Sequence, residues 1–267
     1  MYEREMMPIR IGILGFGAIG RSVVDSLLEH PDDFDLIGFS DVQEVEDAPL
    51  SQLSVASLIT DSDVVVEVAS HAAVREYGVQ ILESGTDLMI VSVGALANKD
   101  LEDTLLSAGP GNLILCTGAL AGIDYIQAAK LLGGIKEISL TSTKKPGVLA
   151  QPWMEDSLKD RLAAGDERIT VFAGNAREAA EAFPKSSNVS ATLALSVGNW
   201  EMVKVQVVAD PAATQTKHQI ELSGDVGNSK FEVQSLPSVL NPATSSVVPY
   251  SVVKALKNAY GSGYKIM

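Results

Sequence analysis

The chain has 267 residues, 46% of them hydrophobic and 20% charged, with a formal net charge of −14 at pH 7 and a single Cys. This composition provides the core of one large or two ordinary domains, and it excludes disordered, collagen-like and disulfide-stapled proteins. Because the chain is acidic and lacks a run of roughly 20 apolar residues, we expect it to bind neither nucleic acid nor membranes. Because its single Cys cannot form an internal disulfide, we expect a cytoplasmic protein.

The first half of the chain alternates short apolar runs with amphipathic stretches. The runs predict strands at 9–14, 34–39, 64–68, 88–93 and 113–116. Helical spacing of apolar residues predicts a helix after the first strand and further helices at 71–83 and 101–106. Strands that alternate with helices are typical of a parallel sheet with right-handed crossovers.

Three glycines, Gly15, Gly17 and Gly20, follow the first predicted strand with the spacing G-x-G-x-x-G. Here the pattern is typical of a dinucleotide-binding turn: the first glycine permits the turn, the second lets the backbone approach a diphosphate, and the third lets the helix pack on the strand. We expect the helix N-terminus at Ala18, Ile19 and Gly20 to bind the diphosphate. A tight strand–helix turn with no ligand is the alternative interpretation.

Asp41 ends the second predicted strand, near the expected separation of roughly 20 residues from the glycines. Its carboxylate is suited to accept hydrogen bonds from an adenosine ribose and to repel a 2′-phosphate. The acidic residues that follow it favour NAD, whereas the nearby Arg21 keeps NADP open as an alternative. A solvated aspartate at a strand end is the competing interpretation. We therefore predict a Rossmann NAD(P)-binding domain over residues 1–120.

The second half of the chain has a different pattern. Helices are predicted at 123–132, 176–183, 189–197 and 248–259, and strands at 135–142, 169–172, 202–208, 218–222 and 231–233. Residues 147–166 show no clear periodicity. The alternating apolar residues of these strands favour a mixed or antiparallel sheet. We predict a second α/β domain at 121–240 for substrate binding and dimerisation, and a closing segment, 241–267, that packs back on the first domain.

Six short motifs occur in order along the chain. They are VEVASHAAV (66–74), VSVGAL (91–96), TGALAGID (117–124), FPKSSNV (183–189), ADP followed by His218 (209–218), and NPATS (241–245). No single motif is decisive, but together they resemble the L-aspartate dehydrogenase family over nearly the whole chain. The family pattern has Arg where this chain has Lys144, a change that loses bidentate contact to a carboxylate.

The resemblance implies NAD(P)-dependent oxidative deamination of L-aspartate, through iminoaspartate, to oxaloacetate and ammonia. In some organisms the iminoaspartate feeds NAD biosynthesis. The resemblance also implies a homodimer of two-domain chains. It places the catalytic histidine on His218 and cofactor contacts on Ala119 and Asn188. In the first two motifs we predict further cofactor contacts at Ala69, His71, Gly94 and Ala95.

The chemistry itself favours a histidine. Oxidation of an amino acid requires an uncharged amine, and hydrolysis of the imine requires an activated water; imidazole is the side chain suited to either task. The chain has three candidates. A helix-end role is expected for His30, and a structural or capping role is favoured over catalysis for His71. On the residues alone, His218 is as well explained by a pocket position as by a structural one. Asp210 is a candidate to orient it, although a turn-forming role before Pro211 is favoured.

A dicarboxylate substrate requires cations or helix N-termini in its pocket. We predict substrate contacts at Lys144, Lys185, Thr244 and Ser245, with solvated lysines and simple helix capping as the alternatives. Three scattered histidines and one Cys offer no spacing for a metal site.

Two other functions remain open from the sequence. One is a related two-domain reductase, similar to dihydrodipicolinate reductase or homoserine dehydrogenase. The other is a protein that senses NAD(H) without turning it over.

Overall fold

The computed structural model describes residues 7–184, 187–241, 244–262 and 264–266. The chain forms two compact units. Unit 1 comprises Met1–Cys116 together with Pro249–Met267, and unit 2 comprises Thr117–Val248. The first boundary between the units follows Cys116, and the second follows Val248. The boundaries predicted from the sequence are at residues 120 and 240.

Unit 1 is built on a parallel sheet of five strands: β1 (Ile9–Leu14), β2 (Phe34–Ser40), β3 (Val64–Glu67), β4 (Asp87–Ile90) and β5 (Leu113–Leu115). Their order is β2-β1-β3-β4-β5, with every neighbouring pair parallel. The helices are α1 (Ala18–Leu27), α2 (Val55–Asp61), α3 (His71–Glu83), α4 (Lys99–Ser107) and, at the end of the chain, α9 (Val248–Ala259). The predicted fold class of this unit is confirmed.

The central strands are apolar because helices cover a parallel sheet on both faces. The valines of β3, at 64, 65 and 66, are fully buried. On α1 the buried residues Gly20, Val23, Val24 and Leu27 recur at helical spacing and face the sheet. The chain leaves β1 toward β2 on one side and reaches β3 on the other. Ligands of such folds bind at this switch point, outside the carboxyl ends of the strands.

Unit 2 contains a mixed sheet of five strands: β6 (Ile135–Lys144), β7 (Ile169–Asn175), β8 (Val203–Ala209), β9 (Thr216–Gly224) and β10 (Gly227–Ser235). The order is β10-β9-β6-β8-β7, and only the β6–β8 pair is parallel. Its helices are α5 (Ile123–Leu131), α6 (Asp156–Ala164), α7 (Ala176–Ala182) and α8 (Asn188–Val197), with α8 packed against α5 and α7. The prediction of a second α/β unit with a mixed sheet is confirmed.

Several details differ from the prediction, and β7, β9 and β10 are longer than predicted. The fourth strand ends at Ile90 rather than Val93, because the chain turns there into a 3-10 helix, Val93–Ala97. The helices α2 and α6 were not predicted. They are seven and nine residues long and bury few side chains (Leu58 and Ile59 on α2, Leu162 on α6), so they carry little periodic signal.

The closing helix α9 and the residues just after it are tied to the rest of unit 1 by polar contacts. The Tyr260 hydroxyl donates to Asp87, and the Ser262 hydroxyl donates to Asp33 over 2.9 Å. Ser251 Oγ lies 3.2 Å from the sulfur of the buried Cys116. Among all helices in the described part of the chain, none combines the length and apolar character needed to cross a membrane.

Candidate active site

The glycine-rich turn of unit 1 has the geometry that a dinucleotide requires. Gly15 has φ +102°, and a Cβ there would lie 2.7 Å from Ala69. A Cβ on Gly20 would lie 2.3 Å from the Gly15 carbonyl oxygen, whereas one on Gly17 would meet nothing within 4 Å. The first and third glycines are therefore required by close packing. The second faces open space, where a diphosphate has access to the backbone.

Helix α1 begins directly after this turn. Gly17 is its N-cap residue, and within the described chain no side chain caps the helix there. The N–H groups of Ala18, Ile19 and Gly20 in the first turn consequently have no partner within the helix. Together with the positive end of the helix dipole they suit an anion, and the residues present therefore fit a bound diphosphate.

Asp41 lies just beyond β2, and both of its carboxylate oxygens are held by backbone. Oδ2 accepts from the Phe16 N–H over 2.7 Å, and Oδ1 accepts from the Gln43 N–H over 3.0 Å. Each oxygen keeps acceptor capacity for a ribose hydroxyl. The Arg21 guanidinium lies over the Phe16 ring, 4.8 Å from its centroid. Because Phe16 also contacts Asp41, the Asp41 end of the site contains a cation as well.

The other predicted cofactor contacts of unit 1 lie at the same edge of the sheet. Ala69 and His71 follow β3, with Ala69 exposed and His71 opening α3. Gly94 and Ala95 lie in the 3-10 helix after β4 and are buried. Because the carboxyl ends of parallel strands share one edge, the structure brings these residues together with the glycine turn and Asp41.

Glu67, the last residue of β3, is not among the site residues predicted from the sequence. Its side chain is fully buried and accepts hydrogen bonds from the loops after β3 and β4. Burial raises the pKa of this carboxyl, although the donors around it oppose that shift. A signal was present in the sequence, because a lone acidic residue that ends a run of valines is unusual in a buried strand.

In unit 2 the structure brings His218 together with a residue distant in sequence. His218 on β9 is paired in register with Ser142 on the neighbouring β6. The Ser142 Oγ lies 2.9 Å from His218 Nδ1, and both side chains are buried. Burial and the charge of Lys144 lower the pKa of His218 to about 3, so the imidazole is neutral at physiological pH.

Lys144, the last residue of β6, lies on the same strand face as Ser142 because side chains alternate along a strand. It is only 5% exposed. Burial lowers its pKa to about 8. Among the described residues, Glu67, Lys144 and His218 are the buried acidic or basic side chains. Two of these three meet in unit 2, and perturbed titratable groups of this kind are typical of functional sites.

The other site residues predicted in unit 2 lie in loops or at helix ends. Ala119 is buried, and Asn188 is the first residue of α8. Ser245 is buried, and its Oγ accepts from the Val247 N–H over 3.4 Å, a contact expected of a turn before a helix. Thr244 donates its N–H to the Asn241 carbonyl over 2.9 Å. Lys185 lies outside the described residues.

Asp210 does not orient the histidine. Its Oδ1 accepts from the Ala212 N–H over 2.9 Å and its Oδ2 lies 3.3 Å from Arg168, so it stabilises a turn, as favoured from the sequence. Ser142 is the partner of the imidazole instead. Within the described ranges, no group of three or more His, Cys, Asp or Glu side chains is placed to hold a metal ion.

Comparison with known proteins agrees with this architecture. Residues 124–259 match the family model described as aspartate dehydrogenase, C-terminal, and residues 15–112 match the homoserine dehydrogenase NAD binding domain. The chain is 34% identical over 262 residues to an L-aspartate dehydrogenase of Methanosarcina mazei, covering 93% of this chain and 96% of the relative.

Solved structures give the same result. An aspartate dehydrogenase of Thermotoga maritima matches with a TM-score of 0.77 and 28% identity, over 97% of this chain and 98% of that one. A hyperthermophilic archaeal homoserine dehydrogenase in complex with NADPH matches with a TM-score of 0.56 and 12% identity, over 93% of this chain and 98% of that one, which shows a shared fold alone. Full-length similarity to curated relatives at this level confirms the family predicted from the motifs. The chain belongs to the L-aspartate dehydrogenase family of NAD(P)-dependent oxidoreductases.

Proposed function

We propose that this chain catalyses the NAD(P)-dependent oxidative deamination of L-aspartate, through iminoaspartate, to oxaloacetate and ammonia. The observation that carries the proposal is the buried pair of His218 and Ser142 beside Lys144, in a chain whose other unit has a dinucleotide-binding turn. Family membership supports the same reaction.

NAD(P), when bound, supplies the acceptor for the hydride that leaves the substrate Cα. The chain's part is to hold it. The N–H groups at the start of α1 bind the diphosphate, and Asp41 accepts hydrogen bonds from the adenosine ribose. The carboxylate charge of Asp41 favours NAD over NADP, because a 2′-phosphate would be repelled. We assign the further contacts to Ala69, His71, Gly94 and Ala95 in unit 1, and to Ala119 and Asn188 in unit 2.

His218 is the residue we assign to proton transfer. With Nδ1 engaged by Ser142, Nε2 is the nitrogen that takes a proton from water as the water oxygen adds to the imine carbon. The same proton is then returned to the nitrogen, the C–N bond breaks, and the hydroxyl proton of the adduct passes to the departing ammonia as the carbonyl of oxaloacetate forms. The low pKa of His218 keeps the imidazole neutral at physiological pH but makes it a weak base until the field of Lys144 is offset. Ser142 is a positioning residue, since its hydroxyl holds the ring at Nδ1; Nε2 accepts a proton in the tautomer whose Nδ1–H donates to Ser142 Oγ.

Lys144 is the cation we assign to a substrate carboxylate. A buried ammonium attracts an anion strongly because the surroundings screen it little. A bound dicarboxylate in turn offsets the field of Lys144, which is one cause of the low pKa of His218. Substrate binding is therefore expected to raise the basicity of the imidazole when the water must be activated. Lys185, Thr244 and Ser245 are proposed as further carboxylate contacts.

We propose that the protein acts in the cytoplasm as a homodimer and that its iminoaspartate feeds NAD biosynthesis. The family resemblance supports the homodimer and the biosynthetic role, and the single Cys, which cannot form an internal disulfide, supports the cytoplasm. The net charge of −14 supports the absence of nucleic-acid or anionic-membrane partners.

A panel of amino acids assayed with NAD and with NADP tests the reaction. We expect NADH to form with L-aspartate, and His218→Ala to lower kcat by orders of magnitude while the Kd for NADH changes little. Turnover only with another substrate would favour a related reductase. Saturable NADH binding with no turnover of any substrate would favour a sensor, and either result would overturn the proposal.

A further inference from the structure

Glu67 is a buried carboxylate that the proposed reaction does not use. Its side chain is 0% exposed, and it lies at the carboxyl end of β3, beside the glycine turn. Oε1 accepts from the N–H groups of Ala69 and Ser70, over 2.8 and 2.7 Å, and from the Ser92 hydroxyl over 2.9 Å. Oε2 accepts from the Ser92 N–H over 3.1 Å. A single side chain thus receives four hydrogen bonds.

These four donors belong to two different loops. Ala69 and Ser70 lie between β3 and α3, whereas Ser92 lies between β4 and the 3-10 helix that contains Gly94 and Ala95. A third loop is in direct contact, because the site of a Cβ on Gly15 is 2.7 Å from Ala69. Glu67 therefore connects the loops after β3 and β4 to each other and, through Ala69, to the glycine turn.

The sheet itself does not need this carboxylate. The strands are joined by backbone hydrogen bonds, which continue past Glu67 from the Val68 N–H to the Leu14 carbonyl and from the Val91 N–H to the Glu67 carbonyl. Every hydrogen bond of the carboxylate goes instead to a loop beyond the strands. Burying a carboxylate is costly unless the group is well hydrogen-bonded, so its presence here points to a role in the loops.

We propose that Glu67 is a positioning residue for the dinucleotide, and that its carboxylate holds the loops after β3 and β4 in the arrangement that binds NAD(P). The inference rests on the cofactor contacts proposed above for these loops. It predicts that changes at Glu67 weaken cofactor binding without any contact between Glu67 and the reacting atoms.

Two substitutions separate the contacts. Glu67→Gln keeps an acceptor for the three donors at Oε1, the Ser92 hydroxyl among them, but its amide NH₂ then faces the Ser92 N–H. The backbone contact to the loop after β4 is therefore lost, and a buried donor is left unpaired. Ser92→Ala removes only the hydroxyl contact and leaves the carboxylate and the backbone contact in place. Glu83→Gln, at an exposed position at the end of α3, is the matched control.

The measurements are the Kd for NADH by fluorescence titration, the KM for NAD and kcat with saturating L-aspartate, and the Tm. For Glu67→Gln we expect the Kd for NADH and the KM for NAD to rise about tenfold, with a smaller change in kcat. For Ser92→Ala we expect a smaller rise in the same two constants. Glu83→Gln should match the wild-type protein. In the double variant the two effects should not add, because both act through one network.

A purely structural role for Glu67 would lower the Tm and leave the Kd for NADH of the folded protein unchanged, and that result would overturn the inference. If Glu67→Gln does not fold, Ser92→Ala decides the question by the same two constants. Failure of the wild-type protein to bind NADH would instead refute the proposed function. The two failures are therefore distinguishable.

Discussion

Replacement of Lys144 by Met is expected to stabilise the protein while it impairs the reaction. The ammonium of Lys144 is buried at the end of β6, and burial lowers its pKa from the ordinary 10.5 to about 8. The folded protein therefore holds the proton of this amine less tightly than the unfolded chain does. Met has a similar length and no charge, so Lys144→Met removes the cost of burying a cation and keeps most of the packing.

The size and the sign of the effect follow from the pKa. A decrease from 10.5 to about 8, at about 1.4 kcal/mol per pKa unit, corresponds to about 3 kcal/mol. Below pH 8 the amine is protonated in both the folded and the unfolded chain, so the folded state bears this whole cost. As the pH rises from 8 to 10.5 the folded chain loses its proton first, and the free energy of unfolding of the wild-type protein rises.

Urea unfolding of the wild-type protein and of Lys144→Met over pH 7 to 10.5 measures this difference. We expect the variant to be the more stable at pH 7 by up to about 3 kcal/mol, with an advantage that shrinks above pH 8. Its KM for L-aspartate should rise. Lys145→Met, at the exposed neighbouring residue, should show neither effect. A variant that is no more stable at pH 7, or whose advantage is the same at every pH, would refute the reasoning from burial.

Three further predictions concern single residues. Because His218 is held neutral, with a pKa of about 3 against the ordinary 6.5, stability should be lost as the pH falls below 6.5, by about 2 kcal/mol at pH 5. Chemical unfolding of the wild-type protein and of His218→Asn at pH 7 and pH 5 should show that the variant lacks this loss of stability. An equal loss in the variant and the wild-type protein would contradict the prediction. Ser142→Ala should lower kcat about tenfold, leave the Kd for NADH unchanged and alter the ring ¹⁵N shifts of His218 in NMR spectra; unaltered shifts would mean that Ser142 does not hold the ring. Asp41→Ala should raise the KM for NAD more than that for NADP, and steady-state kinetics in which both constants change equally would remove Asp41 from cofactor selection.

The sequence predicted the parallel sheet of unit 1 well, for a physical reason. Strands buried on both faces are continuous apolar runs, and they are bounded here by glycines and by helices with clear periodicity. The strand Ile9–Leu14 and the helix His71–Glu83 have in the structure the bounds that were predicted. The helices α2 and α6 were missed because short helices that bury one or two side chains produce no repeat.

The candidate site was predictable only where its residues are local in sequence. The three glycines and Asp41 follow strands at a regular spacing, so their common position at one sheet edge follows from the topology. The Ser142–His218 contact depends on the register between β6 and β9, which no local pattern encodes. The sequence instead offered Asp210, which lies close to His218 in the chain but is occupied by its own turn.

The substitution of Lys for the Arg of the family pattern at position 144 can be understood from its burial. A guanidinium remains charged at every accessible pH, so burying one would always cost the full desolvation energy. A lysine at the same place can lower its pKa to about 8 and so limits that cost, but it offers a carboxylate one point charge in place of a planar fork. It follows that the affinity of this chain for a dicarboxylate should depend on pH near 8, because the cation that attracts the substrate is lost as the pH rises. With the proposed contact between Lys144 and the substrate, binding of the dianion should stabilise the protonated amine and oppose this loss, so that Lys144 would couple proton uptake to substrate binding where an arginine would not.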